Sequence, residues 1–172
     1  APALDTGGMT LATVFDDAPY RYENGDKVTN YVSSSYGGLT TIRDAIIKSN
    51  NIVAVKALTQ ITPQVGFDFL QKLGFTTLVS NRVTASGTYE SDINQALSLG
   101  GITDGVTNLE LTAAYATIAN KGRYNEPVLY TKVTDSNGNV ILSNEKMNKK
   151  IMKKSTAWLL TNAMEDVVKK GT

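Results

Sequence analysis

The sequence predicts a mainly α-helical chain that carries one β-hairpin. Three observations lead there. Apolar residues recur at helical spacing in five stretches between Ile42 and Val168. The pair Asn137-Gly138 sits between two short apolar runs, as a tight hairpin turn does. The first 39 residues keep neither period and are crowded with turn formers. At 172 residues, 41% of them hydrophobic and 19% charged, the chain can bury a core without metal or disulfide staples.

Residues 1–39 are punctuated by Gly7-Gly8, Asn24-Gly25, Ser33-Ser34-Ser35 and Gly37-Gly38, with tyrosines at 20, 22, 31 and 36. They read as a long, mostly irregular segment with one short strand near Leu11–Phe15. A segment of this kind wraps a partner element or carries function, and its tyrosines fill gaps against the core. Thr40-Thr41 then precedes Ile42, Ala45, Ile46 and Ile47, which marks a helix start with threonine as N-cap. Three poor helix formers, Ser49-Asn50-Asn51, interrupt the pattern before Ile52, Val53, Val55, Ala57 and Leu58 resume it. Two helices therefore meet at a tight polar corner.

Pro63 opens a helix whose apolar face is Val65, Phe67, Phe69, Leu70 and Leu73, and Gly74 closes it. Residues 76–95 read as surface connection. Asn108 is the expected cap of a helix from Leu109 to Ala119, which Gly122 stops. The hairpin spans residues 128–142 with its turn at Asp135 to Gly138. Ser155 is the expected cap of a last helix, with Trp158, Leu159, Ala163, Met164, Val167 and Val168 as its apolar face. Lysines 146, 149, 150, 153 and 154 crowd its approach and read as a solvated face.

Composition excludes several chemistries. The chain has no Cys and no His, so thiolate nucleophiles, structural zinc, Fe–S ligation and any imidazole base are absent from it. Acid–base work falls to Lys, Tyr, Asp or Glu. Seventeen basic residues against sixteen acidic ones leave a net charge of +1, which gives no reason to seek nucleic acid or an anionic membrane. No nucleotide loop is present, since Gly100-Gly101 and Gly105 lack the required spacing, and no cofactor is expected. Asp16-Asp17 and Glu165-Asp166 read as solvated. No stretch approaches the ~20 apolar residues of a membrane span, and no signal peptide is visible. The chain starts at Ala1-Pro2 without Met and stops at Gly171-Thr172 directly after a helical pattern, so it reads as a piece of a larger protein.

The corner Ser49-Asn50-Asn51 puts a hydroxyl and, two residues on, a carboxamide between two apolar helices. On spacing alone, helix capping accounts for it. Its surroundings say more. The stretch from Gly38 to Val55, with Thr41-Ile42-Arg43-Asp44-Ala45 leading into Ser49-Asn50-Asn51, closely resembles the helix–SxN–helix block of class A penicillin-binding proteins. Phe69-Leu70 with Leu73-Gly74-Phe75 follows in the same order. Then come Leu97-Ser98-Leu99-Gly100-Gly101, Gly105-Val106-Thr107, Leu109-Glu110-Leu111 and Ala113-Ala114-Tyr115-Ala116. Asn120 to Tyr124, Pro127, and Val167-Val168 with Gly171-Thr172 complete a resemblance that covers nearly the whole chain in one register.

The resemblance implies that residues 1–172 are a partial penicillin-binding transpeptidase domain, a fragment of the α/β serine β-lactamase/transpeptidase-like fold. Of the family's S-x-x-K, S-x-N and K-T-G elements, only the middle one is here. The others are expected just upstream and just downstream. Ser143-Asn144-Glu145-Lys146 fits S-x-x-K literally but follows the S-x-N block and leaves a hairpin, so it is a decoy; Lys170-Gly171-Thr172 is not K-T-G. By carry-over, Ser49 sits in the proton relay between a base lysine and the leaving nitrogen, and Asn51 holds the substrate amide and helps position that lysine. The partners implied are stem peptides ending in D-Ala–D-Ala and β-lactams. The location implied is the extracellular face of the bacterial cytoplasmic membrane, with the anchor in a segment outside these residues.

Four expectations follow. Ser49 and Asn51 project to one concave side. The last helix exposes apolar surface around Trp158, where a five-stranded sheet would cover it. The parent crosslinks stem peptides through a serine acyl-enzyme. The chain by itself is inactive. A catalytically dead relative and a free-standing helical interaction module are the competing readings.

Overall fold

A short helix, α1 (Pro2–Asp5), precedes four strands: β1 (Val14–Asp17), β2 (Tyr20–Arg21), β3 (Lys27–Val28) and β4 (Gly38–Thr41). Three helices follow almost without pause, α2 (Ile42–Ile47), α3 (Asn51–Ile61) and α4 (Pro63–Lys72). Next come β5 (Arg82–Val83), β6 (Tyr89–Glu90), a 3-10 helix at Gln95–Leu99, α5 (Asn108–Ala119) and β7 (Arg123–Asn125). The hairpin strands β8 (Lys132–Thr134) and β9 (Val140–Ser143), then β10 (Asn148–Lys150) and α6 (Lys154–Lys170), complete the chain. This computed structural model describes residues 1–32, 35–144 and 147–171. Two of the three serines at 33–35, the last two residues of the Ser143–Lys146 decoy and Thr172 lie outside the described residues.

The helices stand where local signals put them. The Thr41 hydroxyl accepts from Asp44 N at 3.1 Å and caps α2. Pro63 occupies the first position of α4, and Gly74, at φ +87°, ends it with the Gly74 N–H on the Gln71 carbonyl and the Phe75 N–H on the Leu70 carbonyl. The hairpin forms with Asp135 N on the Asn139 carbonyl at 2.9 Å, and the register slips between Val133 and Thr134 where a bulge is inserted.

Two caps differ from expectation. Thr107, not Asn108, caps α5, because Glu110 three residues on returns a bond to its backbone and closes a capping box. The last helix is capped by neither Ser155 nor any residue of its own first turn. The Asp5 carboxylate, brought from the other end of the chain, accepts from Lys153 N at 2.7 Å and from the Thr156 hydroxyl at 2.8 Å.

The first 39 residues also hold more structure than the single strand expected at Leu11–Phe15. β1 pairs antiparallel with β4, Val14 opposite Thr41, and the loop between them closes a second, smaller pair, β2 with β3. Leu11 is not in a strand; it is buried with Met9 against Ile42 of α2 and Ala163 of α6. Residues 76–95 are likewise more than surface: β5 pairs with β6, and the buried Asp92 carboxylate accepts from Val79 N, Thr103 N and the Thr103 hydroxyl at 2.6–2.8 Å.

The core is laid around α3, whose Ile52 and Val55 are fully buried against Val28, with Tyr20 and Tyr22 packed beside them. A second cluster joins Phe69, Leu73 and Phe75 to Ala114, Met152 and Ala157, so α4, α5 and α6 pack together. The expected exposure is observed: Trp158 is 64% and Val168 89% accessible, while Ala157 and Ala163 on the other side of α6 are buried. Among the described residues the strands pair only in twos, so no broad sheet lies against that face.

The capping box makes a pH prediction. Glu110 accepts from Thr76 N and its hydroxyl through one oxygen and from Thr107 N and its hydroxyl through the other, at 2.7–3.0 Å. The Thr76 hydroxyl above all stabilises the charged form, and the carboxyl is lowered from 4.5 to about 2. A carboxyl depressed in the folded state stabilises the fold fully above its unfolded value of 4.5 and loses that contribution as pH falls towards 2. E110Q removes the charge and can keep its oxygen on Thr107, but its NH₂ then faces Thr76 N, so that one contact is lost as well. Its melting midpoint is expected about 2–4 °C below wild type at neutral pH, with the gap closing through that acid window. Parallel thermal melts across pH check this; a gap that stays constant would refute it.

Candidate active site

Helix α2 ends two residues before Ser49 in a motif that usually requires glycine. Asn50 N donates to the Ala45 carbonyl at 2.8 Å and Ser49 N to the Ile46 carbonyl at 3.3 Å, the paired bonds of a Schellman turn, with Ser49 at φ +51° in the left-handed position. For an L residue this conformation costs about 1–2 kcal/mol. Strain of this sort is retained where the surroundings demand it, and functional sites are where it collects. The Ser49 residue is exposed, and among the described residues its hydroxyl enters no protein hydrogen bond.

The start of α3 is fully accounted for. Its first four N–H groups have no partner inside the helix. Asn30 Oδ1 takes Asn51 N at 3.1 Å and Ile52 N at 3.3 Å, Asn50 Oδ1 takes Val53 N at 2.9 Å, and the Asn50 carbonyl takes Ala54 N at 3.3 Å. The Asn51 side chain donates through Nδ2 to the Thr29 carbonyl at 2.8 Å. Behind Asn30 stands Asp17, 2% accessible, whose two oxygens accept from Asn30 Nδ2 at 2.9 Å and Gly37 N at 2.7 Å.

Both residues expected from the sequence, Ser49 and Asn51, therefore sit at the same corner, on either side of the capping Asn50. The decoy serine, Ser143, is exposed at the end of β9. Asp17 corrects the expectation of a solvated Asp16-Asp17 pair: it is the buried end of β1, with Asn30 and Gly37 on its carboxylate. Asp17 and Asn30 are the residues that sequence reasoning missed. They lie 34 and 21 positions before Asn51 in a turn-rich segment, and no local pattern announces the contact.

The far side of the corner is braced by the last helix. Arg43 of α2 donates to Asp166 at 2.5 Å and to Asn162 at 2.7 Å. The Arg43 guanidinium, helped by Lys170, holds the Asp166 carboxyl below its usual range, so this acid too is paired rather than simply solvated. Gly171 lies so close to the end of α2 that an added Cβ would stand 3.0 Å from the Ile47 carbonyl. Two hollows lie elsewhere: an apolar cavity of about 360 Å³ among Ala3, Ile46, Ala57, Phe69, Leu97 and Leu160, and one of about 520 Å³ between Tyr22–Asp26 and Ile93–Ala96. Neither is lined by Ser49 or Asn51. Among the described residues no group of acidic side chains is of a size to hold a metal ion.

An exposed hydroxyl and a carboxamide fixed at the joint of two buried helices can pass a proton and hold an amide, but they include no strong base. The family profile of the penicillin binding protein transpeptidase domain matches residues 1–172. Penicillin-binding protein 1F of Bacillus subtilis (strain 168) is 34% identical over 148 residues, 86% of this chain and 19% of that protein. Penicillin-binding protein 1A of Clostridium tetani is 30% identical over 173 residues, 97% of this chain and 22% of that protein. Among solved structures, PonA1 of Mycobacterium tuberculosis in complex with penicillin V superposes with a TM-score of 0.77 at 26% identity, over 95% of this chain and 43% of that one. The chain thus spans about a fifth of the length of the curated relatives it matches.

Proposed function

Since the chain belongs to the penicillin-binding protein transpeptidase domain family, of the class A type that its sequence resembles, we propose that it is the S-x-N part of a serine D,D-transpeptidase. The complete protein crosslinks peptidoglycan stem peptides through a serine acyl-enzyme and is acylated by β-lactams. The nucleophilic serine and base lysine come from an S-x-x-K element outside residues 1–172, and a K-T-G strand follows them. Ser49 Oγ carries the proton between that lysine and the leaving nitrogen, a general acid–base role. Asn51 binds the amide of the stem peptide or of the β-lactam side chain, on the same concave side as Ser49.

The observation that carries this reading is Ser49 itself: a solvent-facing serine held in the left-handed position that glycine would fill at less cost. The penicillin V held by the similar PonA1 supports the β-lactam part. We place the protein at the outer face of the bacterial cytoplasmic membrane, where its substrate lies. No helix of the described residues is long and apolar enough to cross a membrane, so the anchor is assigned to a segment outside them.

The test uses the complete protein. It is expected to take fluorescent penicillin stoichiometrically on the S-x-x-K serine and to join D-Ala–D-Ala stem peptides with release of D-Ala. A complete protein that does neither is a catalytically dead relative or a helical interaction module.

A further inference from the structure

We propose that Asp17 and Asn30 are positioning residues for Asn51, working as a relay that fixes the start of α3. This rests on the transpeptidase reading above and adds two residues to its machinery.

The argument is one of donors and acceptors. An ionised carboxylate only accepts; an amide side chain does both, and its orientation is open until a neighbour decides it. Asp17 is buried, and no Lys or Arg pairs with it among the described residues. A buried carboxylate without a counter-ion is costly. What it does here is dictate direction. Because Asp17 accepts from Asn30, the Asn30 Nδ2 must face Asp17 and its Oδ1 must face the N–H groups of Asn51 and Ile52. Thr29, next door, applies the same logic to the Asn51 side chain: its carbonyl only accepts, so Asn51 Nδ2 turns to it and Oδ1 turns away. Segment 29–30 thus grips Asn51 by backbone and by side chain, and the acceptor-only charge of Asp17 holds that grip in one state.

Neutralising Asp17 removes the dictation. An amide at that position must present an NH₂ either to Gly37 N or to Asn30 Nδ2. If Asn30 flips to meet it, Asn30 sets its own NH₂ against Asn51 N and Ile52 N. Every arrangement of D17N leaves one donor facing a donor. The exchange D17N/N30D leaves none. Its amide at position 17 turns the oxygen to Gly37 N and the NH₂ to the carboxylate at position 30, whose other oxygen accepts from α3.

The test is the acylation kinetics of the complete protein with fluorescent penicillin, resolved into a binding constant and an acylation rate constant, with thermal melts alongside. D17N is expected to slow the acylation step about 10- to 100-fold and to weaken the binding constant less, because Asn51 Nδ2 keeps its own bond to the Thr29 carbonyl. The exchange variant is expected to recover to within a few-fold of wild type. Asn30→Ser, which keeps an acceptor on a shorter arm, is a second variant should D17N fold poorly, and a loss of the same order is expected. Wild-type rates in D17N and Asn30→Ser overturn the proposal. So does an exchange variant as slow as D17N, since the effect would then not travel through Asn30. A wild-type protein that takes no penicillin overturns the transpeptidase reading, and this proposal with it.

Discussion

In the complete protein, replacing Ser49 by glycine is expected to lower acylation by penicillin about 10²- to 10⁴-fold while leaving the fold as stable or more stable. Ordinarily a serine at a helix junction is there to cap, and removing it costs about 1 kcal/mol. Here the structure separates the two roles. The capping of α3 is done by Asn50 and Asn30, and α2 is closed by backbone bonds from Ser49 and Asn50. The Ser49 side chain contributes to neither. What it adds is a hydroxyl in solvent and a strained φ of +51°. Glycine relieves the strain, worth about 1–2 kcal/mol, and gives back up to about 1 kcal/mol through the greater freedom of the unfolded chain, so the net change is small and not unfavourable. On the role proposed for Ser49, loss of the hydroxyl would break the proton path between the base lysine and the leaving nitrogen. Rates of penicillin uptake and melting midpoints of wild type and Ser49→Gly decide it. An unchanged rate, or a melting loss of many degrees with normal acylation, would make Ser49 a structural residue only.

What is legible in the sequence follows from distance along the chain. Features set by residues within one turn of each other stand as read: Thr41 and Asp44, Pro63 at the head of α4, Gly74 at its end, and the Asp135–Gly138 turn. Even the near miss at α5 is local, since Thr107 and Asn108 are both good caps and only Glu110 breaks the tie. Features set by residues far apart are hidden. The carboxylate that anchors the start of α6 is Asp5, 148 positions before Lys153, and no inspection of Lys153–Ser155 can show it. The β1–β4 ladder spans a loop of twenty residues, so its short strands show no period of their own. The expected face of α6 is split: Trp158 and Val168 lie outward, while Leu159 and Ala163 pack inward beside Ala157 and Leu160. At the candidate site, Ser49 and Asn51 are legible through the family resemblance of the whole block rather than through their spacing, which capping explains as well. The left-handed turn at Ser49 and the Asp17–Asn30 relay are not, because backbone strain and tertiary hydrogen bonds leave no periodic trace.

The 172 residues by themselves are expected to form no adduct with penicillin, under conditions where the complete protein is labelled to one equivalent. Acyl transfer needs a nucleophile whose proton has somewhere to go. Ser49 has no such partner here: there is no histidine in the chain, Lys48 is the exposed C-cap of α2, and among the described residues no lysine amine bonds to a serine hydroxyl. An unassisted serine hydroxyl at neutral pH is a weak nucleophile. On the proposed reading the electrostatic help is missing as well, because the resemblance assigns the backbone donors for the developing oxyanion to the nucleophile's own turn and to the K-T-G strand, both outside residues 1–172. Those donors are worth about 10²–10³ in rate each. Ser143 fares no better, since it stands exposed at the end of a two-stranded ladder. Intact-mass spectrometry after incubation with excess penicillin reads the result directly. A stoichiometric adduct that maps to Ser49 or Ser143 would place the nucleophile inside residues 1–172 and overturn the assignment of Ser49 to the proton path.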